Sequence, residues 1–440
     1  MEFENNPMTT VEDASKRLIK PEFQDVINRE NLHLKTVLKE ISEGRLIILG
    51  NNKRRSNNFA IGDLVSTKVN FEVGTYKGKD DYDLELEKAA IAEKYGADII
   101  TNKSIGDECS DFLKDLLKKV NTPVLSMPIL QAAVESRLKT GSCIDLTLDD
   151  YFMAVESQIR AGVDGIILFP GVNKFVLRRV KTAERRSGFS SYGASIIMAY
   201  MISNNFENPE FEFFDDILEL AHKNNVTLIV SPGSKPNTLL DSLDSPTLIE
   251  SLMLGTLIKK AQAAKVQVSV AGQDYMRIDK IEPHLSNLSE LQYHVPKFSK
   301  GPHVTNIAPG YTYLSGAMGG AIAARNGVNV LTTNADFDTI YGSSLEEAHK
   351  HVIAAKIAAQ IGDLSRGIDI AWERESDLVK ALKVDDWEEV YANVLDPRKV
   401  RLEREYAPPT HTGSCDLCDD ECVIQHIRSI IPSNAPTYSK

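Results

Sequence analysis

Short apolar runs alternate with amphipathic helical stretches from about residue 60 to about residue 335, and this alternation limits the fold more strongly than any other feature of the sequence. Each run has the length and the Val, Ile and Leu content of a buried strand, and helical patterns such as Leu84–Tyr95 and Ser245–Ala264 separate the runs. The predicted strands are Lys68–Val73, Ala97–Thr101, Pro123–Met127, Asp164–Leu168, Val226–Ser231, Val266–Ala271, Thr305–Ala308 and Val328–Thr332. Repeated βα units of this number close into a barrel of about this size. The sequence therefore predicts an α/β fold, a (β/α)8 TIM-type barrel, with a doubly wound open sheet as the alternative.

The sequence on either side of the barrel differs from it in composition. Residues 1–60 are polar and mixed and predict a small N-terminal layer, with a helical stretch over Phe23–Ile41. Residues 61–340 are assigned to the barrel, and residues 341–405 to a helical segment that begins with an Ala-rich stretch. Pro408 and Pro409 then precede a polar tail, residues 406–440.

Charge and hydropathy exclude two classes of partner. The net charge of −12 argues against a nucleic-acid partner, because phosphate binding depends on clustered Lys and Arg. No apolar run approaches the roughly 20 residues that span a bilayer, which argues against a membrane location. Residues 1–10 are acidic and polar, unlike a secretory signal, so we expect a cytoplasmic protein.

Three of the five cysteines, Cys415, Cys418 and Cys422, fall within eight residues of the tail. The other two, Cys109 and Cys143, are far away in sequence, so the set is not the disulfide framework of a secreted domain. Three thiolates at this spacing can converge on one inorganic cluster. A [4Fe–4S] cluster with three protein ligands keeps one iron open for S-adenosylmethionine, and it supports radical chemistry.

A structural zinc ion is the alternative at the cysteine triad. His411 and His426 flank the three cysteines, so a Cys₃His ligand set is available. Unliganded thiols are the remaining interpretation.

Polar residues near the ends of predicted strands are candidates for substrate binding, because active sites of these barrels lie at the carboxyl ends of the strands. The segment Ser231–Pro236 has a Gly, two hydroxyls and a Lys, which suits a phosphate bound by Lys and backbone N–H groups. The segment Ser190–Ser195 is a second such loop. A plain βα turn is the alternative for both loops. His349 and His351 lie on the Ala-rich helix, where we expect surface residues.

Several motifs from about Lys68 to the C-terminus resemble the thiamin pyrimidine synthase family, ThiC, which also contains the anaerobic 5-hydroxybenzimidazole synthases. The most specific are Gly301–Tyr311 (GPHVTNIAPGY), Gly319–Ala324, Tyr192–Met198, Phe214–Leu220, Val266–Val268 and the cysteine triad. The resemblance implies a (β/α)8 barrel in a homodimer. It also implies a C-terminal [4Fe–4S] cluster that activates S-adenosylmethionine, and aminoimidazole ribotide as the substrate of a radical rearrangement.

The chain departs from the family at positions that bind the family's metal ion and substrate. Tyr275 stands where the family has a metal-binding His, and no His is present near Ala335–Asp338, where the second one falls. The substrate-binding Tyr and His of the family correspond to Leu130 and to a position near Phe169. The family's cysteine spacing is also one residue longer in the second gap. These departures indicate a divergent paralogue.

The resemblance leaves five residues as predicted substrate ligands: Asn70, Ser191, Gly193, Gly233 and Lys235. Ser191 and Gly193 belong to the family's Ser-Arg-Gly motif, which is Ser-Tyr-Gly here. Gly233 and Lys235 belong to its Asp-Gly-Leu-Arg motif, which is Pro-Gly-Ser-Lys here.

These observations predict a radical S-adenosylmethionine lyase that rearranges aminoimidazole ribotide or a related phosphorylated imidazole nucleotide. The product would be a thiamin pyrimidine or a 5-hydroxybenzimidazole, the lower ligand of a cobamide. Such an enzyme requires an electron donor. The alternatives are a noncatalytic subunit that supports an active paralogous partner, and a zinc-stabilised barrel protein without radical chemistry.

Overall fold

The computed structural model describes residues 8–54, 56–79, 81–292, 294–334, 344–384, 386–406 and 423–430. The chain divides into two compact units, one up to Ala371 and one from Trp372 onward. The cysteine triad at Cys415, Cys418 and Cys422 lies outside the described residues, as does the segment 335–343. Among the described residues, no helix is both long enough and apolar enough to cross a membrane.

The N-terminal layer contains three short helices and a β-hairpin. The elements are α1 (Thr10–Ser15), α2 (Pro21–Glu30), α3 (Leu34–Ser42), β1 (Leu46–Ile48) and β2 (Ala60–Gly62), and β1 pairs antiparallel with β2. The predicted helical stretch over Phe23–Ile41 is divided into α2 and α3, because Asn31 adopts a left-handed conformation (φ 52°) that ends α2. Phe23, Val37 and Ile41 are buried in a small core of this layer.

Eight parallel strands form a closed barrel, which confirms the predicted fold class and excludes the open sheet. The strands are β3 (Lys68–Val73), β4 (Ile99–Asn102), β5 (Val124–Ser126), β6 (Gly165–Leu168), β7 (Thr227–Val230), β8 (Val268–Ala271), β9 (Lys297–Lys300) and β10 (Val330–Thr333). They follow one another in chain order around the barrel, and β10 closes it by pairing with β3.

The seventh barrel strand is β9, Lys297–Lys300, and the prediction of a strand at Thr305–Ala308 is wrong. Phe298 pairs in register with Ala271 of β8 and with Val330 of β10. The strand escapes sequence analysis because a lysine stands at each end and only Phe298 is apolar. Ile307, which made the other segment look like a strand, is 91% exposed.

Helices surround the barrel and connect its strands. They are α4 (Tyr82–Lys94), α5 (Cys109–Lys119), α6 (Pro128–Thr140), α7 (Leu148–Ala161), α8 (Lys174–Thr182), α9 (Tyr192–Asn204), α10 (Pro209–Glu212), α11 (Phe214–Asn224), α12 (Ser245–Ala263), α13 (Ile278–Leu291), α14 (Thr312–Arg325) and α15 (Leu345–Arg366). A single 3₁₀ turn, Leu239–Asp241, lies in the connection after β7. The long helix α15 packs closely on α14. The close approach requires Gly at position 362 of α15, because a Cβ there would collide with Ala324 of α14.

The N-terminal layer is tied to the bottom of the barrel by buried polar contacts. Lys68, the first residue of β3, places its Nζ 2.6 Å from Glu30 Oε1 of α2, and both side chains are buried. Gln267, which precedes β8, exchanges two hydrogen bonds with the backbone of Ile48. Such fully paired buried groups fix the layer in one position, since breaking either pair would leave a buried polar group unsatisfied.

The second unit is helical where it is described. Its helices are α16 (Asp369–Lys383, which begins at the boundary), α17 (Trp387–Asn393), α18 (Pro397–Tyr406) and α19 (Val423–Ile430). The guanidinium groups of Arg401 and Arg404 lie over the rings of Tyr391 and Trp387, at 3.7 and 3.6 Å from the ring centroids. These cation–π contacts hold α18 against α17.

Candidate active site in the barrel mouth

A cavity of about 480 Å³ opens at the carboxyl ends of the barrel strands. Every barrel strand contributes at least one lining residue, either from its last positions or from the loop that follows. Alternate residues of a strand face the same side, so pairs such as Asn70 and Glu72 of β3 both point into the barrel. The cavity therefore lies where active sites of this fold occur.

Acidic and basic side chains meet on one side of the cavity. The Nζ of Lys103, after β4, lies 3.7 Å from Glu72 Oε2, and the Nζ of Lys300, at the end of β9, lies 3.4 Å from the same oxygen. All three side chains line the cavity. One carboxylate therefore holds two ammonium groups close together at the cavity wall.

A second ion pair joins the loops after β7 and β8. Lys235 Nζ donates to Asp274 Oδ1 at 2.9 Å, and both residues are buried at the cavity wall. Burial acts to raise the pKa of Asp274, but the ammonium groups of Lys235 and Lys300 and hydrogen bonds from Lys235 and Ser190 outweigh it, so the pKa is lowered. Asp274 is therefore an anion at neutral pH.

Asn70 is held in place by a chain of hydrogen bonds across three neighbouring strands. Thr101 Oγ1 donates to Asn70 Oδ1 at 2.9 Å, and Asn70 Nδ2 donates to Thr332 Oγ1 at 3.1 Å. Thr332 is also the register partner of Asn70. These two contacts fix the orientation of the Asn70 amide group, and they therefore also fix the direction of its second N–H hydrogen.

Apolar side chains form the opposite side of the cavity. They come from the ends of β5, β6 and β7 and from the start of α6: Met127, Leu130, Ile167, Phe169 and Ile229. Leu130 and Phe169 are the two positions where the resemblance placed a substrate-binding Tyr and His. In this chain both positions give the cavity an apolar surface.

The N-terminus of α9 also opens on the cavity. Ser190, Ser191, Tyr192 and Gly193 all line it, and Ser191 caps the helix by accepting a hydrogen bond from the Ala194 N–H at 3.2 Å. A Cβ at Gly193 would lie 2.9 Å from Cε2 of Phe169, closer than real Cβ contacts. Gly193 therefore allows the Phe169 ring to pack on this helix.

The loop after β7 does not offer its backbone to a phosphate, so that part of the interpretation of Ser231–Pro236 is wrong. Glu250 of α12 accepts hydrogen bonds from the N–H groups of Gly233 at 2.7 Å and Ser234 at 2.8 Å, and also from the Ser234 hydroxyl. A Cβ at Gly233 would collide with Val172 and Ala194, so this Gly serves the packing of the loop. Only Ser231 and Lys235 of the loop line the cavity.

Residues 185–190 form a strap that is fastened to the same loop. Arg185 Nε donates to Asp244 Oδ2 at 2.7 Å, and the N–H groups of Arg186 and Ser187 donate to Asp241. Ser190 N–H donates to the Lys235 carbonyl at 3.0 Å. The strap thus positions the start of α9 relative to the loop that contains Lys235.

Two buried carboxyl groups stand behind the cavity wall. Glu250 is completely buried, and burial raises its pKa despite the hydrogen bonds that it accepts. Glu210 of α10 is also buried. It accepts hydrogen bonds from the Phe169 N–H and from the Tyr151 hydroxyl, and burial raises its pKa to about 8. Each carboxyl supports the backbone at the end of a barrel strand.

The structure brings four of the five predicted substrate ligands to the cavity: Asn70, Ser191, Gly193 and Lys235. Gly233 lies beneath it. His351 is 3% exposed, with Nδ1 3.0 Å from Thr333 Oγ1, so its prediction as a surface residue is wrong. Sequence analysis also missed Lys103 and Lys300, because Lys300 belongs to the unrecognised strand and Lys103 resembles an ordinary surface lysine.

Within the described residues, no three His, Cys, Asp or Glu side chains are grouped so that they could hold a metal ion. Tyr275, at the position of the family's metal-binding His, is buried, and its ring lies 5.3 Å from that of His303. The described part of the barrel therefore does not fit the metal ion that the resemblance implied.

Comparison with known proteins gives one consistent result. The model of the radical SAM ThiC family matches residues 9–429. A protein named phosphomethylpyrimidine synthase 2 from Methanothermobacter thermautotrophicus is 33% identical over 96% of this chain and 99% of its own length. The phosphomethylpyrimidine synthase of Methanocaldococcus jannaschii is 33% identical over the same shares. That of Dehalococcoides mccartyi is 34% identical over 95% of this chain and 97% of its own length.

Proposed function

The chain belongs to the radical SAM ThiC family, and on this premise we propose that it is a radical S-adenosylmethionine lyase of cofactor biosynthesis. Its substrate in this proposal is aminoimidazole ribotide or a related phosphorylated imidazole nucleotide. The observation that carries the proposal is the family match over nearly the whole chain, cysteine triad included. The relatives named above are synthases, that is, enzymes.

Cys415, Cys418 and Cys422 would hold the [4Fe–4S] cluster. Three thiolates within eight residues form a donor set that suits this cluster and leaves one iron open. Bound there, the cluster supplies an electron to S-adenosylmethionine. Zinc is the competing metal, with His411 outside the described residues and His426 exposed on α19 as the available fourth ligands.

The described residues bind and orient the substrate in this proposal. Asn70, fixed by Thr101 and Thr332, offers amide hydrogen bonds of set direction. Lys235 and Asp274 form an ion pair in the cavity wall, so an ammonium donor and a carboxylate acceptor lie next to each other there. Ser191 adds a hydroxyl at the N-terminus of α9, and Gly193 and Gly233 shape the wall rather than bind.

The apolar side of the cavity would shelter the reacting part of the substrate. Carbon-centred radicals abstract hydrogen from accessible groups and must be kept apart from solvent and from competing reactions. Ile167, Phe169 and Ile229 present only hydrocarbon to the cavity. This wall thus suits a radical rearrangement better than a hydrolysis, which requires a bound water.

The same family relationship supports a homodimer and an external electron donor as partners. It supports either a thiamin pyrimidine or a 5-hydroxybenzimidazole as the product. The apolar residues at 130 and 169 favour a reaction other than unchanged thiamin pyrimidine synthesis, because they replace polar contacts in the cavity.

The proposal is tested by incubating the reduced, cluster-loaded protein anaerobically with S-adenosylmethionine and aminoimidazole ribotide and identifying the products by mass spectrometry. We expect 5′-deoxyadenosine together with a rearranged product from the ribotide. The Cys415→Ser variant is the control and should give neither. If the wild-type protein also gives neither product, yet increases the turnover of an active homologue when the two are mixed, it is a noncatalytic partner subunit.

A further inference from the structure

We propose that helix α8 is the docking surface for an acidic electron-transfer protein that reduces the cluster. The surface consists of four basic side chains of this helix, here named the basic patch: Lys174, Arg178, Arg179 and Lys181. The inference rests on the proposed function, which requires an electron from outside the chain, and it specifies where on the barrel the donor binds. One electron passes from the donor, which is oxidised, to the cluster, which is reduced, and no covalent bond forms or breaks.

Helix α8 lies at the rim of the barrel mouth. The chain leaves the cavity wall at Phe169, directly after β6, and returns to it at Ser190, before α9. The residues between these two points, α8 included, therefore belong to the carboxyl end of the barrel. A helix of nine residues extends only about 13 Å, so α8 stays close to the mouth. A protein bound to α8 thus lies on the side of the barrel that contains the cavity.

One face of α8 packs on the protein, and the other face bears the charges. Val176 and Leu177 are buried, whereas all four side chains of the basic patch are exposed. Within the described part of the chain, none of these four side chains belongs to an ion pair, and the pair nearest to them in sequence is Arg185 with Asp244. The four positive charges are therefore directed into solvent.

The carboxylates near the basic patch are too few to cancel its charge. Glu207 accepts a hydrogen bond from the backbone N–H of Lys174 at 3.0 Å, and Glu184 is exposed two residues beyond the end of α8. Two more carboxylates are already bound to the strap: Asp241 and Asp244. Because two carboxylates adjoin four cations, a positive excess remains at this helix.

The stability of α8 does not account for these charges. The first turn of the helix has no acidic residue and begins with Lys174, at the helix end where positive charge is unfavourable. Lys174 and Arg178 are four positions apart and Arg178 and Lys181 are three, so like charges are neighbours on the helix surface, which is destabilising. Only Arg179 and Lys181, in the last turn, interact favourably with the helix dipole. Binding of a partner explains the whole set better than helix stability does.

Charge complementarity favours an acidic protein as the partner. The chain has a net charge of −12, so most of its surface repels such a protein, and the basic patch attracts it. Since salt screens charges beyond about 8 Å, the local excess decides the contact, and attraction at one place orients the partner. Phe175 is 44% exposed beneath the Arg179 guanidinium, 5.4 Å from the ring centroid, and adds an aromatic anchor typical of protein interfaces.

The first test measures docking without the reaction. Cluster-loaded protein is titrated calorimetrically with an acidic flavodoxin in its oxidised form at low ionic strength. Arg178→Glu with Lys181→Glu should weaken binding by at least about ten-fold, the lower end of electrostatic effects on association. The neutral variant, Arg178→Gln with Lys181→Gln, should lie between this variant and the wild-type protein. The differences should shrink in about 1 M salt, where the screening length falls to about 3 Å.

Lys119→Glu with Lys223→Glu is the matched control. Both lysines are exposed, and they stand in the last turns of α5 and α11, which precede β5 and β7 at the opposite end of the barrel. The control changes the net charge by the same amount as the charge-reversed patch variant. It should leave the affinity for flavodoxin within about two-fold of the wild-type value.

A second test separates the docking surface from the chemistry. Reduced flavodoxin should bleach the visible absorbance of the cluster about ten-fold more slowly in the charge-reversed patch variant than in the wild-type protein. Dithionite, a small reductant that needs no docking surface, should reduce the cluster equally fast in both. If the dithionite-reduced wild-type protein releases no 5′-deoxyadenosine, the proposed function fails, whereas the calorimetric titration still tests the patch.

Equal flavodoxin binding by the wild-type protein and the charge-reversed patch variant, both with native melting curves, would overturn the proposal. An equal loss of binding in the control would do the same. A changed self-association in sedimentation, or a changed affinity for a DNA oligonucleotide, with flavodoxin binding unaffected, would assign the basic patch to another partner and would also contradict the proposal.

Discussion

The Glu250 carboxylate accepts a hydrogen bond from the backbone N–H of Gly233 at 2.7 Å, from behind the loop that contains Lys235. The same carboxylate accepts from Ser234, and its Cγ would lie 2.6 Å from a Cβ at Gly171, after β6. A single buried side chain thus connects the ends of β6 and β7 and sets the direction of Lys235.

Replacement of Glu250 by Ala should lower the free energy of unfolding by about 3 kcal/mol. The change leaves two buried N–H groups and one hydroxyl without acceptors, and each such group costs about 1–3 kcal/mol, partly recovered by water. Thermal melting followed by circular dichroism measures the effect. Glu156→Ala, on the exposed face of α7, should leave the melting temperature nearly unchanged. Equal melting temperatures for both variants would show that Glu250 does not support the loop.

Stability should fall as the pH rises through the range in which Glu210 ionises. Burial raises the pKa of Glu210 to about 8, so between the ordinary pKa near 4.5 and 8 the folded protein keeps a proton that the unfolded chain releases. Its stabilising contribution is complete below the ordinary pKa and is lost with rising pH, by at most about 1.4 kcal/mol per pH unit.

The Glu210→Gln variant isolates this contribution, because Gln can still accept from the Phe169 N–H. Unfolding of the variant and the wild-type protein by urea at several pH values from 5 to 8.5 measures the difference. We expect the variant curve to be flatter over this range. Parallel curves would mean that Glu210 does not titrate as described.

Substitution of Gly193 by Ala should disturb the cavity, whereas the same substitution at Gly188 should not. A Cβ at 193 would press on the Phe169 ring at 2.9 Å and on Ile129 at 3.1 Å, whereas a Cβ at 188 meets no atom within 4 Å. Overpacking of this kind costs about 1–3 kcal/mol. The melting temperatures of the two Ala variants measure the contrast, and a larger loss at 188 would contradict the packing.

Much of this architecture follows from the sequence. Helices such as α4 and α12, and seven of the eight strands, are visible because Val, Ile and Leu runs alternate with helical patterns. Strand β9 is not visible. Lys297 and Lys300 stand at its two ends, and lysines in a sequence do not indicate a strand that is buried in a barrel. Asn70 and Lys235 could be found from motifs.

The functions of Glu210 and Glu250 could not be predicted from the sequence. Each looks like an ordinary helical glutamate, and only the fold shows that its carboxyl group is turned inward to accept backbone N–H groups. Likewise, Lys103 and Lys300 are far apart in the chain and meet only because β4 and β9 both end at the cavity.

The cysteine triad should determine the metal content of the protein. After anaerobic reconstitution, the wild-type protein should contain about four iron and four sulfide per chain, and Cys415→Ser should lose most of both. Cys143→Ser, which removes a cysteine far from the triad in sequence, is the matched control and should retain them. Stoichiometric zinc with no iron in the wild-type protein would instead support the Cys₃His site.

The most direct test of the proposed chemistry is the release of 5′-deoxyadenosine from S-adenosylmethionine by the reduced protein in the presence of aminoimidazole ribotide or a related nucleotide. The account predicts 5′-deoxyadenosine in amounts that rise with time for the wild-type protein and for Cys143→Ser, and none for Cys415→Ser. A wild-type protein with a complete, reducible cluster that releases no 5′-deoxyadenosine with any of these nucleotides would contradict it.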